Sequence, residues 1–235
     1  MSSNKRKSDT FENKLVQKKM KKDPLADHLI DLNHRDEHGY TPLIRAIQFY
    51  DTVSTERLIS SSSVNINKAD RNGYTPLIWA ADLGTMPILK LLLSKPEVLV
   101  NKQDSQGYTA LMWAMEVGHH KVVKKLVQHK DIDVNIKDNE GNTALIWAAD
   151  KGFVNIVCTL LDNIDVDVNA QSDDGFTALI CAADQGHFEI AGYLLEKEKI
   201  DISLKDNKGY NALAIAAEKG HDEIVSLIKS HMNTK

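Results

Sequence analysis

Six glycines, Gly39, Gly73, Gly107, Gly141, Gly175 and Gly209, follow one another at intervals of 34 residues. A fixed period of this length means that one supersecondary unit is repeated and that each unit buries its apolar face against its neighbours. Around the glycines the chain reads GYTPLIRAI, GYTPLIWAA, GYTALMWAM, GNTALIWAA, GFTALICAA and GYNALAIAA. A second glycine comes eleven residues later, at Gly84, Gly118, Gly152, Gly186 and Gly220, and only the first unit departs, with Tyr50. Each unit then runs into an apolar stretch, such as ILKLLL over 88–93 or NIVCTLL over 155–161, and a segment such as DVN at 133–135 and 167–169.

Local chemistry converts this pattern into elements. Thr41, Thr75, Thr109, Thr143 and Thr177 stand where a hydroxyl caps a helix N-terminus, with Asn211 in the same role. Pro42 and Pro76 take the first helical position, which needs no amide hydrogen. The second glycine ends that helix in a left-handed conformation. A second helix follows, and Asp-x-x-Gly (Asp70 to Gly73, Asp104 to Gly107, Asp138 to Gly141) turns the chain into the next unit. The prediction is helix, turn, helix, β-turn, six times over, with units starting near 36, 70, 104, 138, 172 and 206.

Composition narrows the function classes. No run of 18 apolar residues is present, so no membrane span is expected, and the lysine-rich start lacks the apolar stretch of a secretory signal. Cys158 and Cys181 lie in helical patterns without ligand spacing, and the nine histidines are scattered, so reduced thiols and no metal site are expected. No cofactor motif, nucleophile motif or P-loop is found, which argues against an enzyme. Residues 1–22 carry eight cations against Asp9 and Glu12, a net of +6, so the rest carries −10 to reach the formal −4. Such an acidic body repels phosphate and argues against direct nucleic-acid binding.

The repeated units resemble the ankyrin repeat, whose pattern D-x-x-G-x-T-P-L-H-x-A-A-x-x-G-H is matched in register across residues 36–230. The resemblance implies an all-α solenoid of helix-turn-helix units joined by β-turn or hairpin fingers, with 36–235 as six repeats. Residues 23–35, with Leu25, Leu29, Ile30 and Leu32, are then an N-terminal cap, and 1–22 a disordered basic tail. Two departures stand out. The family's histidine after TPL is Ile44, Ile78, Met112, Ile146, Ile180 and Ala214, so apolar packing is expected to replace polar bonding between repeats. Each unit also has one residue more than the family's usual length of about 33.

The resemblance further implies a monomeric, non-enzymatic scaffold that holds a protein partner on the concave side, where turn tips and first helices meet. The turn column is Tyr40, Tyr74, Tyr108, Asn142, Phe176 and Tyr210; the first-helix columns are Arg45, Trp79, Trp113, Trp147, Cys181, Ile215 and Gln48, Asp82, Glu116, Asp150, Asp184, Glu218. Each tryptophan shares a helical face with the acid three residues on, a pairing of π-face and carboxylate that suits a basic segment. The alternative is that the tryptophans fill space between helices. The expected partner-binding residues are Tyr74, Trp79, Asp82, Tyr108, Trp113, Glu116, Trp147, Asp150, Phe176 and Asp184.

GYTPLIWAAD is similar to a segment of the methyl-lysine-reading ankyrin domain of the euchromatic histone lysine methyltransferases. That likeness implies a cage from Tyr74, Trp79, Asp82 and Trp113, or from Tyr108, Trp113, Glu116 and Trp147. In the tail, Lys5-Arg6 and Lys18-Lys19-Met20-Lys21-Lys22 have the form of a bipartite nuclear import signal for an import receptor. Nucleus and cytoplasm are the expected locations, those of a host cell if the chain is a bacterial effector acting on host proteins.

Overall fold

Thr41 shows why each unit begins where it does. In the computed structural model, which describes residues 31–234, its hydroxyl oxygen accepts the Ile44 amide at 3.2 Å. The threonine backbone is extended and the proline after it has no N–H to satisfy. Thr75, Thr109, Thr143 and Thr177 repeat the bond, and Asn211 makes it to the Ala214 amide at 3.0 Å.

Twelve α-helices form among the described residues, with no strand. The chain divides into two compact units, after Val98. The first holds α1 (Pro42–Gln48), α2 (Thr52–Ile59), α3 (Pro76–Asp82) and α4 (Met86–Leu93). There α1 packs on α2 and α3, and α4 on α2 and α3. The second holds α5 (Ala110–Glu116), α6 (His120–Val127), α7 (Ala144–Asp150), α8 (Val154–Leu161), α9 (Ala178–Gln185), α10 (Phe188–Leu195), α11 (Ala212–Lys219) and α12 (Asp222–Thr234). First helices stack on first helices, α5 to α7 to α9 to α11, and second on second, α6 to α8 to α10 to α12. The all-helical solenoid read from the sequence is the fold observed.

Small residues set the spacing. Ala80 and Ala81, Ala148 and Ala149, and Ala182 and Ala183 are all 0% exposed, so neighbouring helices approach to the backbone there. Leu89, Leu92, Leu126, Leu160 and Leu194 fill the layer between first and second helices, again without exposure. The column that replaces the family histidine is buried as expected from Ile44 to Ile180.

Polar bonding along the stack is nevertheless kept, carried by a different column. Asn135 donates from Nδ2 to the Asp165 carbonyl at 2.7 Å and accepts the Asp167 amide on Oδ1 at 2.8 Å. Asn169 clamps Lys199 and Asp201 in the same way, Asn101 clamps Asp131 and Asp133, and Asn33 clamps Ser63 and Asn65. These are the asparagines of the DVN-like segments, and a side-chain amide is the group that offers a donor and an acceptor side by side. The turns are also zipped to one another, since Asn139, Asp173 and Asn207 donate backbone amides to the carbonyls of Gln106, Glu140 and Asp174.

The first-helix ends are left-handed as predicted, with φ of 64 to 79° at Gly84, Gly118, Gly152, Gly186 and Gly220. Tyr50 adopts the same conformation, φ 57°, although it has a side chain that resists it. Because Tyr50 is 60% exposed, its ring gives little packing in return. Tyr50→Gly is therefore expected to stabilise the first unit by about 1 kcal/mol, strain relief exceeding the added chain entropy. Chemical denaturation checks this, and an unchanged or lower midpoint contradicts it.

Of the cap expected over 23–35, only 31–35 are described. Leu32 is buried, and Arg35 donates from Nε to the Ala69 carbonyl at 3.0 Å. The expected tail over 1–22, with its paired lysine clusters, and the cap residues Leu25, Leu29 and Ile30 lie outside the described residues.

Candidate partner-binding face

The aspartate that opens each turn organises the aromatic column. Asp70 Oδ1 accepts the amides of Asn72 and Tyr74 at 2.9 and 3.0 Å, and its Oδ2 accepts the indole N–H of Trp79 at 3.1 Å. Asp104 does the same for Gln106, Tyr108 and Trp113, the indole bond being 2.7 Å. Asp138 holds Glu140, Asn142 and Trp147, with an indole bond of 3.1 Å. These three carboxylates are at most 9% exposed, and at least three donors each satisfy their buried oxygens. In the first repeat Arg45 stands in the tryptophan column and makes the corresponding bond, Nε to Asp36 Oδ2 at 2.6 Å.

Sequence reading gave these aspartates a turn role only. A signal was available. Where the column nine residues on carries an N–H donor, Arg45, Trp79, Trp113 or Trp147, the turn opens on aspartate; where it carries Cys181, the turn opens on Ser172. Ser172 still holds the turn, its Oγ accepting the Phe176 amide at 3.1 Å. Asp206 keeps the turn bonds to Lys208 and Tyr210 although Ile215 offers no donor.

The Arg45 pair affects titration. Burial raises the Asp36 carboxyl, but the Tyr40 amide, the Arg45 hydrogen bond and charge and the His38 amide outweigh it and bring it below the usual range. Its contribution to stability is complete above the ordinary carboxyl range and is lost as the pH falls through the lowered value.

Tyrosines of the turn column bridge the indoles. In the first unit Trp79 meets Tyr40 edge-on, ring centroids 5.7 Å apart, and Tyr74 at 5.5 Å. In the second, Tyr108 touches both Trp113, at 5.5 Å, and Trp147, edge-on at 5.7 Å. Burial, followed by the charges of Asp138, Glu116, Glu140 and Asp104, pushes the Tyr108 phenol above its ordinary pKa. One half-buried aromatic cluster thus sits in a field of four carboxylates. The tryptophans are partly exposed, so they are neither core residues nor loose surface side chains.

A family model for ankyrin repeats matches the chain three times, over residues 15–104, 88–172 and 164–235. The chain belongs to the ankyrin-repeat family. Among solved structures, this ankyrin-repeat protein is similar to the ankyrin repeat protein EF0377, with 30% identity, a TM-score of 0.73 and coverage of 83% of this chain and 98% of that one. It is similar to an ankyrin repeat domain from Acinetobacter baumannii AYE, with 27% identity, a TM-score of 0.74 and coverage of 83% and 98%. The ankyrin repeat domain of Bcl-3, at 22% identity, a TM-score of 0.80 and coverage of 92% and 91%, shares the fold. No curated protein matches the chain.

Within this ankyrin-repeat protein the expected site residues fall into three groups. Tyr74, Trp79 and Asp82 lie in the first unit and are half-buried. Trp113, Glu116 and Trp147 lie in the second, and Tyr108 joins them. Asp150, Asp184 and Phe176 follow along the same columns, but Phe176 makes no ring contact among the described residues. Cys181, where the tryptophan column ends, is buried, and burial followed by the charges of Asp150 and Asp184 pushes its thiol up to about 12. So raised, the group stays protonated at neutral pH. Among the described residues no three His, Cys, Asp or Glu side chains converge to hold a metal ion, and no helix is long and apolar enough to cross a membrane.

Proposed function

We propose that this ankyrin-repeat protein is a non-enzymatic scaffold that holds a basic segment of a protein partner against its turn tips and first helices. Ankyrin repeats are typical protein-interaction modules; we read six of them here, one for each helix pair. The observation that supports a basic partner is the Tyr108 environment, with Trp113 and Trp147 in contact and Asp138, Glu116, Glu140 and Asp104 acting on it electrostatically. Aromatic faces beside carboxylates favour a cation over an anion or a neutral chain. Binding of a short peptide of alternating lysine and alanine, followed by tryptophan fluorescence, is expected to weaken about fivefold in Glu116→Gln, a loss typical of one partly exposed charge. Equal affinity for wild type and variant would count against the assignment.

A second reading narrows the ligand to methylated lysine in a histone tail, taken by Tyr108, Trp113, Glu116 and Trp147. It is favoured by the Tyr108 ring touching both Trp113 and Trp147 with Glu116 beside it, since aromatic faces and a carboxylate box an ammonium. Trimethyl-lysine peptide binding more tightly than the unmodified form supports this reading, and equal binding removes it.

The lysine clusters Lys5-Arg6 and Lys18, Lys19, Lys21 and Lys22 are proposed as an import signal, and nucleus and cytoplasm as the locations. A reporter carrying residues 1–24 should concentrate in nuclei; an even spread contradicts the signal. The likeness to the Acinetobacter domain is the support for a bacterial effector that engages host proteins through the same face. Two-hybrid capture by host proteins that disappears in Glu116→Lys is its test, and capture that survives the substitution sinks it. The protein is proposed to act as a monomer, which sedimentation checks.

A further inference from the structure

The acids along the first helices of the second unit are not equivalent. Asp150 is met from both sides by its own chain, Lys151 Nζ lying 3.0 Å from Oδ2 and Gln185 Nε2 3.4 Å from Oδ1. Asp184 is met by Lys219 Nζ at 3.0 Å and by Gln185 Nε2 at 3.1 Å. Glu116 is exposed, and among the described residues its carboxylate has neither a hydrogen bond nor an ion pair. Glu218 is exposed too, but its column neighbour is Ile215 rather than an aromatic residue.

The difference traces to one column at the C-terminal end of each first helix, the cap itself in α5 and α7 and the last helical residue in α9 and α11. It is Val117 after α5, Lys151 after α7, and Gln185 and Lys219 at the same place in the next two repeats. Lys151 lies on the ring of Trp147 and pairs with Asp150. An ammonium of this chain thus fills the aromatic-acid place of the fourth repeat. One repeat earlier, the corresponding position is the exposed Val117, which has no charge to offer Glu116.

We infer that this capping residue fixes the register of the partner: Val117 leaves the place beside Glu116 and Tyr108 to a lysine side chain of the incoming basic segment, and Lys151 closes the equivalent place beside Asp150 and Trp147. The inference rests on the proposed reading of this face as a receiver of basic segments. A partner cation at the fourth repeat has to displace an ion pair and a cation–π contact already made, whereas at the third it meets an open carboxylate. Of the two tryptophan-bearing repeats of the second unit, one therefore receives the lysine and the other is closed.

Exchanging the two residues tests the inference. In fluorescence titrations with the lysine–alanine peptide, Val117→Lys is expected to weaken binding about tenfold, because an internal ammonium now competes for Glu116. Lys151→Val is expected to strengthen it about threefold and to raise the stoichiometry, by opening a second place. Both positions are exposed helix ends, and circular dichroism verifies that the fold is kept. Gln128→Lys adds the same charge at the exposed end of α6 and should leave the affinity within about twofold. Wild-type binding that neither exchange moves overturns this inference and leaves the proposed function standing. A loss in Gln128→Lys equal to that in Val117→Lys also overturns it, since net charge would then account for the effect. A wild-type protein that ignores the peptide overturns both.

Discussion

Asp138→Ala should lower the stability of the second unit by about 3 kcal/mol, because it strands the donors that one buried carboxylate now satisfies. The amides of Glu140 and Asn142 lose the Oδ1 that shapes the turn, and the Trp147 indole loses its Oδ2. With Asp138 6% exposed, water replaces these bonds poorly. Asp138→Asn separates the two halves of the effect. Its carbonyl keeps the turn amides, but its NH₂ faces the indole N–H, donor against donor, so a loss of about 1 kcal/mol with red-shifted tryptophan emission is expected. Denaturant titration followed by fluorescence reads both. Equal, small losses in the two variants would mean that the carboxylate does not organise this turn.

Leu160→Ala should cost about 2 to 5 kcal/mol. Leu160 is 0% exposed in α8, which packs on α6, α7 and α10, so the cavity would open where helices of three repeats meet. In a solenoid, stability is the sum of unit terms and neighbour interfaces, and a break in the middle is felt on both sides. The denaturation curve is therefore expected to broaden or split as well as shift. A single sharp transition moved by less than about 1 kcal/mol would contradict the packing described for this layer.

Much of this architecture is legible in the sequence because its causes are local. The threonine caps, the glycines at helix ends and the apolar periodicity each act within a few residues, and the 34-residue register copies them from unit to unit. Tyr50 in a glycine position is the informative exception: the neighbouring structure imposes a conformation that its own side chain disfavours.

The candidate site was legible in part. The tryptophan and acid columns were read directly from the register, but what each member touches depends on contacts across a repeat. The nine-residue link from turn aspartate to indole joins two elements that no helical period connects, so it went unseen. The asparagine clamps, reaching 30 and 32 residues ahead, are hidden for the same reason, so the absent family histidine alone points to a loss of polar bonding. Nor did the sequence reading separate Glu116 from Asp150 and Asp184, because the distinction comes from where Lys151, Gln185 and Lys219 direct their side chains.

Isothermal titration of the full chain with the lysine–alanine peptide, and with the same peptide acetylated at every lysine, decides whether this face receives a positively charged segment. Acetylation removes the charge and keeps the length of the side chain. Saturable binding of the unmodified peptide, weakened by added salt, is expected, with no detectable heat from the acetylated one. Equal binding of the two peptides would contradict it.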